Sequence, residues 1–310
     1  MRKRWVAVFV LCALALAACS DDGNDTRSGS ASGSGSGSGS GSASGGGSGS
    51  GSGISASDVE GTTDDEAILE ATAAYKQYVE QQVDELVTKT TTFTDAVRAG
   101  DLAAAQAAYA PSREPWERIE PIAGLIEDID GAVDARVDDF EGEDDPAWTG
   151  WHRLEYLLFA QNTTEGATEF ADKLDADLAK LQSSLANLEM PPAALAVGAA
   201  ELIEEVSEGK ITGEEDRYSH TDLWDFAANV EGSKHLITLL TPALEAKDPE
   251  LLGQINEQFA EVEAELAPYE DGDGYKSYEE LTDADKEAMT ASLAALSESL
   301  SQVAGTLGLE

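Results

Sequence analysis

Between about residue 63 and residue 308, apolar residues recur every three or four positions along the chain. The first such stretch, residues 64–99, places Ile68, Tyr75 and Val79 at this spacing. The spacing matches the 3.6-residue period of an amphipathic helix with one face in a core. Gly100 follows directly and is typical of a helix end. The pattern therefore predicts a long first helix over residues 64–99.

The same period continues through the rest of this region, in segments bounded mostly by Pro, Gly or a capping Asp or Thr. Pro111 predicts the end of a second helix, and Pro121 predicts a kink or break in the third. No sustained alternation of Val, Ile, Thr and Tyr indicates a sheet. The predicted helices after the first are 101–110, 113–130, 145–161, 167–188, 192–208, 221–246, 249–267 and 283–307.

These segments predict an all-α fold with enough chain for one large or two smaller helical bundles. The folded domain is assigned to residues 54–310. An Asp-Gly-Asp-Gly segment at 271–274 superficially resembles a calcium loop. It lacks the remaining ligand positions and the closing Glu of an EF-hand, so we interpret it as a turn.

The first 18 residues have the features of a processing signal. Arg2, Lys3 and Arg4 precede an apolar run too short to span a bilayer. Small residues then precede Cys19, an arrangement that resembles a bacterial lipoprotein signal. The sequence therefore predicts signal removal after residue 18, lipidation of Cys19 and an extracytoplasmic, membrane-anchored protein. An ordinary secretory signal with an incidental cysteine is the alternative.

Residues 19–53 are dominated by alternating Gly and Ser. Such a composition cannot bury apolar area, and it predicts a flexible tether with a root-mean-square reach of roughly 30–35 Å. Cys12 would leave with the signal and Cys19 would carry lipid, so no disulfide would be available to the mature chain. The fold must then depend on packing alone.

The chain is strongly acidic, with a formal net charge of −42. Removal of the three basic signal residues leaves 16 basic against 61 acidic residues, a net charge of −45. This balance argues against nucleic acid as a partner, because nucleic-acid binding depends on Lys and Arg at phosphates. Acidity also serves solubility, so by itself it is weak support for cation binding.

Only three histidines occur in the chain, and one of them belongs to a His-x-x-Glu pair, His152 and Glu155. On a helix, residues three apart lie on one face and can converge on one metal ion. Trp148, Trp151 and Tyr156 surround the pair, which predicts a largely buried helix. A buried His and Glu need partners. The pair is either part of a metal site or a structural hydrogen bond.

Two further groups combine carboxylates with aromatic or basic residues. Glu117 and Glu120 belong to a stripe of glutamates spaced by three residues beside an arginine. His220 and Asp222 lie in a nine-residue segment with two carboxylates and three aromatics. Taken alone, each pattern is also typical of a solvated helix start. His235, with a glutamate four residues before it, is interpreted as structural.

Nucleophilic catalysis finds little support in the residues. The Gly-x-Ser-x-Gly elbow and the Gly-Lys-Ser/Thr phosphate loop are both absent. Zinc peptidases of the His-Glu-x-x-His type need a second histidine one turn after the first. Here Arg153 follows His152 and position 156 is Tyr, so that motif fails.

Three phrases, in this order, resemble the EfeO-type iron-uptake lipoproteins of the imelysin-like family. They are Tyr-Ala-Pro-Ser-Arg-Glu-Pro-Trp-Glu-Arg-Ile-Glu-Pro at 109–121, Asp-Pro-Ala-Trp-Thr-Gly-Trp-His-Arg-Leu-Glu at 145–155, and His-Thr-Asp-Leu-Trp-Asp-Phe-Ala-Ala-Asn at 220–229. The resemblance extends over about residues 60–308. Longer relatives carry a cupredoxin-like domain where this chain has the Gly/Ser tract.

The resemblance implies an all-α fold of two four-helix-bundle-like halves and a metal site that includes the His-x-x-Glu motif. Carried over by motif, His152 and Glu155 are the first candidate ligands. Further candidates are Glu117, Glu120, His220 and Asp222. The implied function is non-catalytic iron binding beside a membrane permease and a Dyp-type haem peroxidase. The site would take ferric or ferrous iron as cargo, and zinc or another divalent metal in vitro.

Two other functions stay open at this stage. A non-catalytic module for haem or an acidic polysaccharide is one, although the acidity of the chain disfavours an anionic polymer. A metallopeptidase is the other, since the family also carries a peptidase label.

Overall fold

The longest helix, α1 (Glu66–Arg98), begins where the side chain of Asp65 accepts a hydrogen bond from the backbone N–H of Ala67. It ends before Gly100, whose φ of +71° is a conformation that favours glycine. These bounds come from a computed structural model that describes residues 63–309. The prediction of a long first helix is confirmed.

Nine further helices follow α1 in the described region. They are α2 (Leu102–Ile119), α3 (Glu127–Val133), α4 (Trp151–Glu155), α5 (Thr168–Ser184), α6 (Pro192–Glu208), α7 (Asp222–Lys247), α8 (Pro249–Leu266), α9 (Asp283–Leu300) and α10 (Val303–Leu307). Short 3₁₀ turns join several of them, and α4 continues into a π-helical turn at Tyr156–Ala160. The all-α prediction is confirmed.

The helices pack as two bundle-like groups. In the first, α1 contacts α2 and α5, and α3 contacts α5. In the second, α6, α7, α8 and α9 contact one another in sequence around an apolar interior that includes Ile203, Phe259 and Leu296. Helix α7 also packs against α1 and α2, so it belongs to both groups. This arrangement agrees with the expected bundle-like halves.

The predicted end of the second helix at Pro111 is wrong. Helix α2 runs through both Pro111 and Pro115 to Ile119. A proline inside a helix costs about 3 kcal/mol, whereas burial of one large apolar side chain contributes about 1.5–3 kcal/mol. Helix α2 contributes two fully buried aromatic side chains, Tyr109 and Trp116. Packing therefore outweighs the local penalty of the prolines.

The break predicted at Pro121 is confirmed, because α2 gives way to a 3₁₀ turn at Glu120–Leu125. The predicted helix over 145–161 begins only at Trp151. Before it, the side chain of Asp145 accepts hydrogen bonds from the backbone N–H groups of Glu141 and Ala147, which fixes a turn. The segment predicted as one helix over 283–307 forms two helices, α9 and α10.

The acidic glycine-bearing segment near 271 is a turn, as predicted. It connects two paired two-residue strands, Glu270–Asp271 and Gly274–Tyr275. Within residues 63–309, every helix is too short or too polar to cross a membrane. The predicted signal, the lipidated Cys19 and the Gly/Ser tract lie outside the described residues.

Candidate metal centre

The His-x-x-Glu pair occupies the short helix α4, which contacts α2 and α5. Gly150 precedes the helix with φ +87°, and a Cβ atom there would lie 2.2 Å from the carbonyl oxygen of Val133. Only glycine permits this close approach to the end of α3. Trp148 and Trp151 are fully buried beside the pair. The predicted burial of this helix is confirmed.

Glu155 is held by a loop that comes from far along the chain. Its Oε1 accepts hydrogen bonds from the backbone N–H groups of Tyr218 and Ser219, both at 2.7 Å, and from the Ser219 hydroxyl at 3.0 Å. Its Oε2 lies 3.2 Å from Nδ1 of His152. Both oxygens of this buried carboxylate are therefore occupied, and the imidazole ring is oriented by one of them.

Three more carboxylates approach the imidazole of His152. Oδ1 of Asp134 lies 3.5 Å and Oε1 of Glu215 lies 3.7 Å from Nε2, while Oδ1 of Asp216 lies 4.0 Å from Nδ1. Asp134 follows the last residue of α3, and the other two belong to the loop before α7. We call Asp134, His152, Glu155, Glu215 and Asp216 the His152 cluster.

Within the His152 cluster, two sets of three side chains could hold a metal ion. One set is Asp134, His152 and Glu215, and the other is His152, Glu155 and Asp216. In each set the ligand atoms lie within 4.8 Å of one another. Nε2 of His152 is buried and has no hydrogen-bond partner among residues 63–309. A buried polar atom without a partner is costly, so this nitrogen fits the role of a metal ligand.

A buried guanidinium organises the carboxylates around this site. Arg113 is 0% exposed and donates to Asp134 through Nη1, and to Glu117 at 2.6 Å and Glu215 at 3.1 Å through Nη2. Its Nε donates to Asp225 at 3.2 Å. Burial alone would lower the pKa of Arg113, but the surrounding carboxylates raise it well above its ordinary value. Arg113 therefore stays charged and fixes its partners in place.

A second buried group lies next to the first and contains a lysine in place of the histidine. Nζ of Lys210 is 3.0 Å from Glu117 and 2.7 Å from Glu120. Nδ2 of Asn229 donates to the same two carboxylates, at 3.0 and 2.7 Å. We call Glu117, Glu120, Lys210 and Asn229 the Lys210 cluster. A third set with metal-binding spacing, Glu117, Glu215 and Asp225, surrounds Arg113 between the two clusters.

The charged surroundings shift the pKa of His152. Burial and the nearby Arg113 lower the pKa of the imidazole, but the approaching carboxylates of Asp134, Glu155 and Glu215 outweigh them and raise the pKa well above its ordinary value. Conversely, the pKa of Glu215 lies well below its ordinary value, because Lys210 and His152 overcome the effect of burial. This direction favours the protonated imidazole, and a metal ion that binds Nε2 must displace that proton.

Of the residues predicted from sequence, His152 and Glu155 lie together in one cluster, and Glu117 and Glu120 lie together in the other. Asp222 contacts the His152 cluster through Asp216: its Oδ1 accepts a hydrogen bond from the backbone N–H of Asp216 at 3.2 Å. His220 adopts φ +59°, and its carbonyl accepts from the backbone N–H of Tyr278 at 2.9 Å. The ligand roles of all six residues, His152 and Glu155 included, stay predictions.

Several residues of the site were missed by the sequence reasoning. Glu215 and Asp216 lie just upstream of the Tyr218–Asp222 segment, so a wider window around that segment would have included them. Arg113 lies inside the phrase at 109–121, but its role there was not predicted. Asp134 is one of several acidic residues between 127 and 145, and nothing local in the sequence distinguishes it.

Comparison with known proteins identifies a family for this chain. The family model for Peptidase_M75, described as imelysin, matches residues 71–303, which include every residue of the His152 cluster. The chain belongs to the imelysin family.

The chain is also similar to proteins named as components of iron uptake systems. The chain is 52% identical over 241 residues to "Iron uptake system component EfeO" of Escherichia coli O157:H7, covering 77% of this chain and 64% of that protein. It is 54% identical over 245 residues to proteins of the same name in Yersinia pseudotuberculosis and Yersinia pestis, covering 79% of this chain and 66% and 65% of those proteins. The match thus spans just under two-thirds of the length of these relatives.

Proposed function

We propose that this protein is the iron-binding component of an iron uptake system. It would be an extracytoplasmic protein, anchored through lipid on Cys19, that passes iron to a membrane permease beside a Dyp-type haem peroxidase. The names of the EfeO relatives support iron uptake. The permease, the peroxidase and the lipid anchor rest on the resemblance and on the N-terminal sequence.

One observation gives the main support for metal binding. The buried Nε2 of His152 has no hydrogen-bond partner within residues 63–309, and it faces Asp134 at 3.5 Å and Glu215 at 3.7 Å. One imidazole with several carboxylates suits iron, manganese or zinc, and oxygen ligands favour the harder ions. The proposed ligands are therefore Nε2 of His152 with the carboxylates of Asp134 and Glu215.

Glu155 has a separate role in this proposal. Metal-binding histidines usually donate their other ring N–H to a carboxylate, which fixes the tautomer and the ring orientation. Oε2 of Glu155 lies 3.2 Å from Nδ1 of His152 and provides that contact. The alternative, in which Glu155 is itself a ligand as the sequence predicted, corresponds to the set of His152, Glu155 and Asp216.

The site favours holding an ion over hydrolysis. A peptidase would need a carboxylate free to activate water. Glu155 already accepts three hydrogen bonds at Oε1 and contacts the imidazole at Oε2. Carboxylate ligands can also be displaced or protonated, which suits a protein that must release its cargo. We therefore propose a non-catalytic role.

Metal titration of the full-length protein tests this function, with His152→Ala compared with His235→Ala. We expect His152→Ala to weaken iron binding by at least about 100-fold, since loss of even an outer-shell partner costs 10–100-fold. His235 stacks on Tyr78 at 4.0 Å between ring centroids, outside the His152 cluster, so His235→Ala should bind as the wild type does. Equal affinity in all three proteins would reject the assigned site.

A further inference from the structure

An acidic cleft of about 780 Å³ lies beside the His152 cluster. It is lined by the segment from Glu120 to Phe140, by the second half of α6, and by Glu214 and Glu215. Among its lining residues, Arg136 is the one basic side chain, and every other charged one is a carboxylate. The cleft is therefore a region of concentrated negative charge.

The carboxylates of the cleft become more buried toward its inner end. Glu204, Glu208 and Glu214 are exposed, whereas the side chains of Asp134 and Glu215 are 8% and 4% exposed. Burial, and then repulsion from Asp134, raises the pKa of Asp130 in the same cleft to about 7. A shift of this kind is expected where like charges meet without enough counterions.

The inner wall of the cleft is shared with the metal centre. Asp134 and Glu215 line the cleft, and the same two carboxylates face Nε2 of His152, which is buried and lacks a hydrogen-bond partner in the described part of the chain. A cation that reached the inner end would therefore meet two of the three proposed ligands, and Nε2 of His152 lies 3.5 Å from one and 3.7 Å from the other.

A second pocket, at His152 itself, is too small for a hydrated ion. A pocket lined by His152, Glu155, Trp148 and Tyr218 holds only about 10 Å³. One water molecule needs roughly 10–15 Å³ of such space, so an ion with six waters needs on the order of 100 Å³. The cleft exceeds this requirement several-fold, and the small pocket falls far below it.

Arg136 lines both the cleft and the small pocket, as Glu214 and Glu215 do. Its Nη1 donates to Oε2 of Glu215 at 2.7 Å, and 22% of its side chain is exposed. This guanidinium therefore holds a proposed ligand while it remains accessible from the cleft.

We propose that the cleft is the access route of a hydrated cation to the metal centre, with Arg136 as the positioning residue at its inner end. Arg136 holds Glu215 in the metal-free protein and yields that carboxylate to the arriving cation. This inference rests on the proposed function. The concentrated negative charge would raise the association rate of cations and would repel anionic chelates of the same metal.

Stopped-flow measurement of Co²⁺ association with the full-length protein tests the route. Trp116 donates to Asp134 at 2.9 Å, so tryptophan fluorescence provides the signal. The test variant is Glu204→Gln/Glu208→Gln on α6. The matched control is Glu257→Gln/Glu261→Gln on α8, which removes two exposed charges at the same spacing away from the cleft.

At low ionic strength we expect the α6 double variant to associate with Co²⁺ about three- to tenfold more slowly than the control, because steering by local charge alters association rates on this scale. The difference should disappear at 1 M salt, where the Debye length is about 3 Å. Dissociation rates should match. We also expect Arg136→Met to associate faster than the wild type.

Equal association rates for the two double variants at low ionic strength would overturn the access route. An unchanged or slower rate in Arg136→Met would overturn the role of Arg136. If the wild type instead bound no Co²⁺ and no iron, the proposed function itself would fail. The two failures are therefore distinguishable.

Discussion

Two buried groups of carboxylates lie side by side in this protein, and they differ in the cation that each contains. In the Lys210 cluster, an ammonium and the amide of Asn229 satisfy Glu117 and Glu120 directly. In the His152 cluster, an imidazole lies among four carboxylates and leaves Nε2 without a partner among the described residues.

Under the proposed function, this difference in the buried cation distinguishes a structural group from a metal-binding site. Burial alone lowers the pKa of Lys210, but Glu117 and Glu120 outweigh it and hold the pKa well above its ordinary value. A lysine in that state keeps its charge and leaves no place for a metal ion. A histidine can give up its proton to solvent and then present a nitrogen lone pair. Under the proposed function, buried carboxylates thus serve packing in the Lys210 cluster and cargo binding in the His152 cluster.

Substitution of Lys210 gives the largest effect that we expect from this comparison. Lys210→Met should reduce the free energy of unfolding of the metal-free protein by about 3–5 kcal/mol, because it leaves buried carboxylates uncompensated. Chemical denaturation measures this loss. Lys234→Met is the control: its side chain pairs with Glu263 at the surface, and exposed pairs contribute only about 0–1 kcal/mol.

In metal titrations under native conditions, folded Lys210→Met should keep its metal affinity within about tenfold. Lys210 is not a proposed ligand, and its single contact with one, 3.6 Å to Oε1 of Glu215, is expected to contribute about 1.4 kcal/mol, which is tenfold in affinity. A loss of binding as complete as that of His152→Ala would show that the two clusters act as one site.

The change of metal affinity with pH is expected to be a smaller effect than the loss of stability in Lys210→Met. Because the folded pKa of His152 lies above 6.5, the metal must displace a proton throughout the neutral range. Affinity should therefore rise with pH by up to about tenfold per unit. Zn²⁺ titrations between pH 6 and 8 measure the slope, and His152→Ala should flatten it. An affinity independent of pH would contradict the assignment.

The raised pKa of His152 also predicts how the stability of the metal-free protein changes with pH. A group whose folded pKa is raised stabilises the folded state fully below its unfolded pKa. The contribution of His152 is therefore present below about pH 6.5 and is lost as pH rises through the folded pKa. Denaturation curves of wild type and His152→Ala should converge at alkaline pH.

The smallest effect is expected for Glu120→Gln. Glu120 contacts Lys210 and Asn229 and belongs to none of the three sets with metal-binding spacing in the described chain. Its substitution should change iron affinity by less than about threefold, well under the 10–100-fold cost of a ligand's outer-shell partner. A 100-fold loss would instead support the sequence-based prediction that Glu120 is a ligand.

Much of the fold was predictable because local signals and packing agree. Helix α6 begins at Pro192 and ends at Glu208 as predicted, since its start carries a proline and Gly209 follows its end. Helix α2 was not predictable at Pro111, because burial of Trp116 and Tyr109 decides its length and depends on distant elements.

The candidate site was predictable only where its residues share a helix. His152 and Glu155 are three apart on α4, so their spacing and aromatic neighbours identified them. Asp134 and Glu215 join them from 18 residues upstream and 63 residues downstream of His152. Only the packing of α3 and of the loop before α7 around Arg113 brings these carboxylates to the imidazole.

The most direct test of the account is a crystal structure of the protein with iron bound, using anomalous scattering at the iron edge. We expect the anomalous peak beside Nε2 of His152, with Asp134 and Glu215 as ligands, Glu155 on Nδ1, and Lys210 still paired with Glu117 and Glu120. A peak beside Nδ1 with Glu155 as a ligand, or a peak inside the Lys210 cluster, would contradict it.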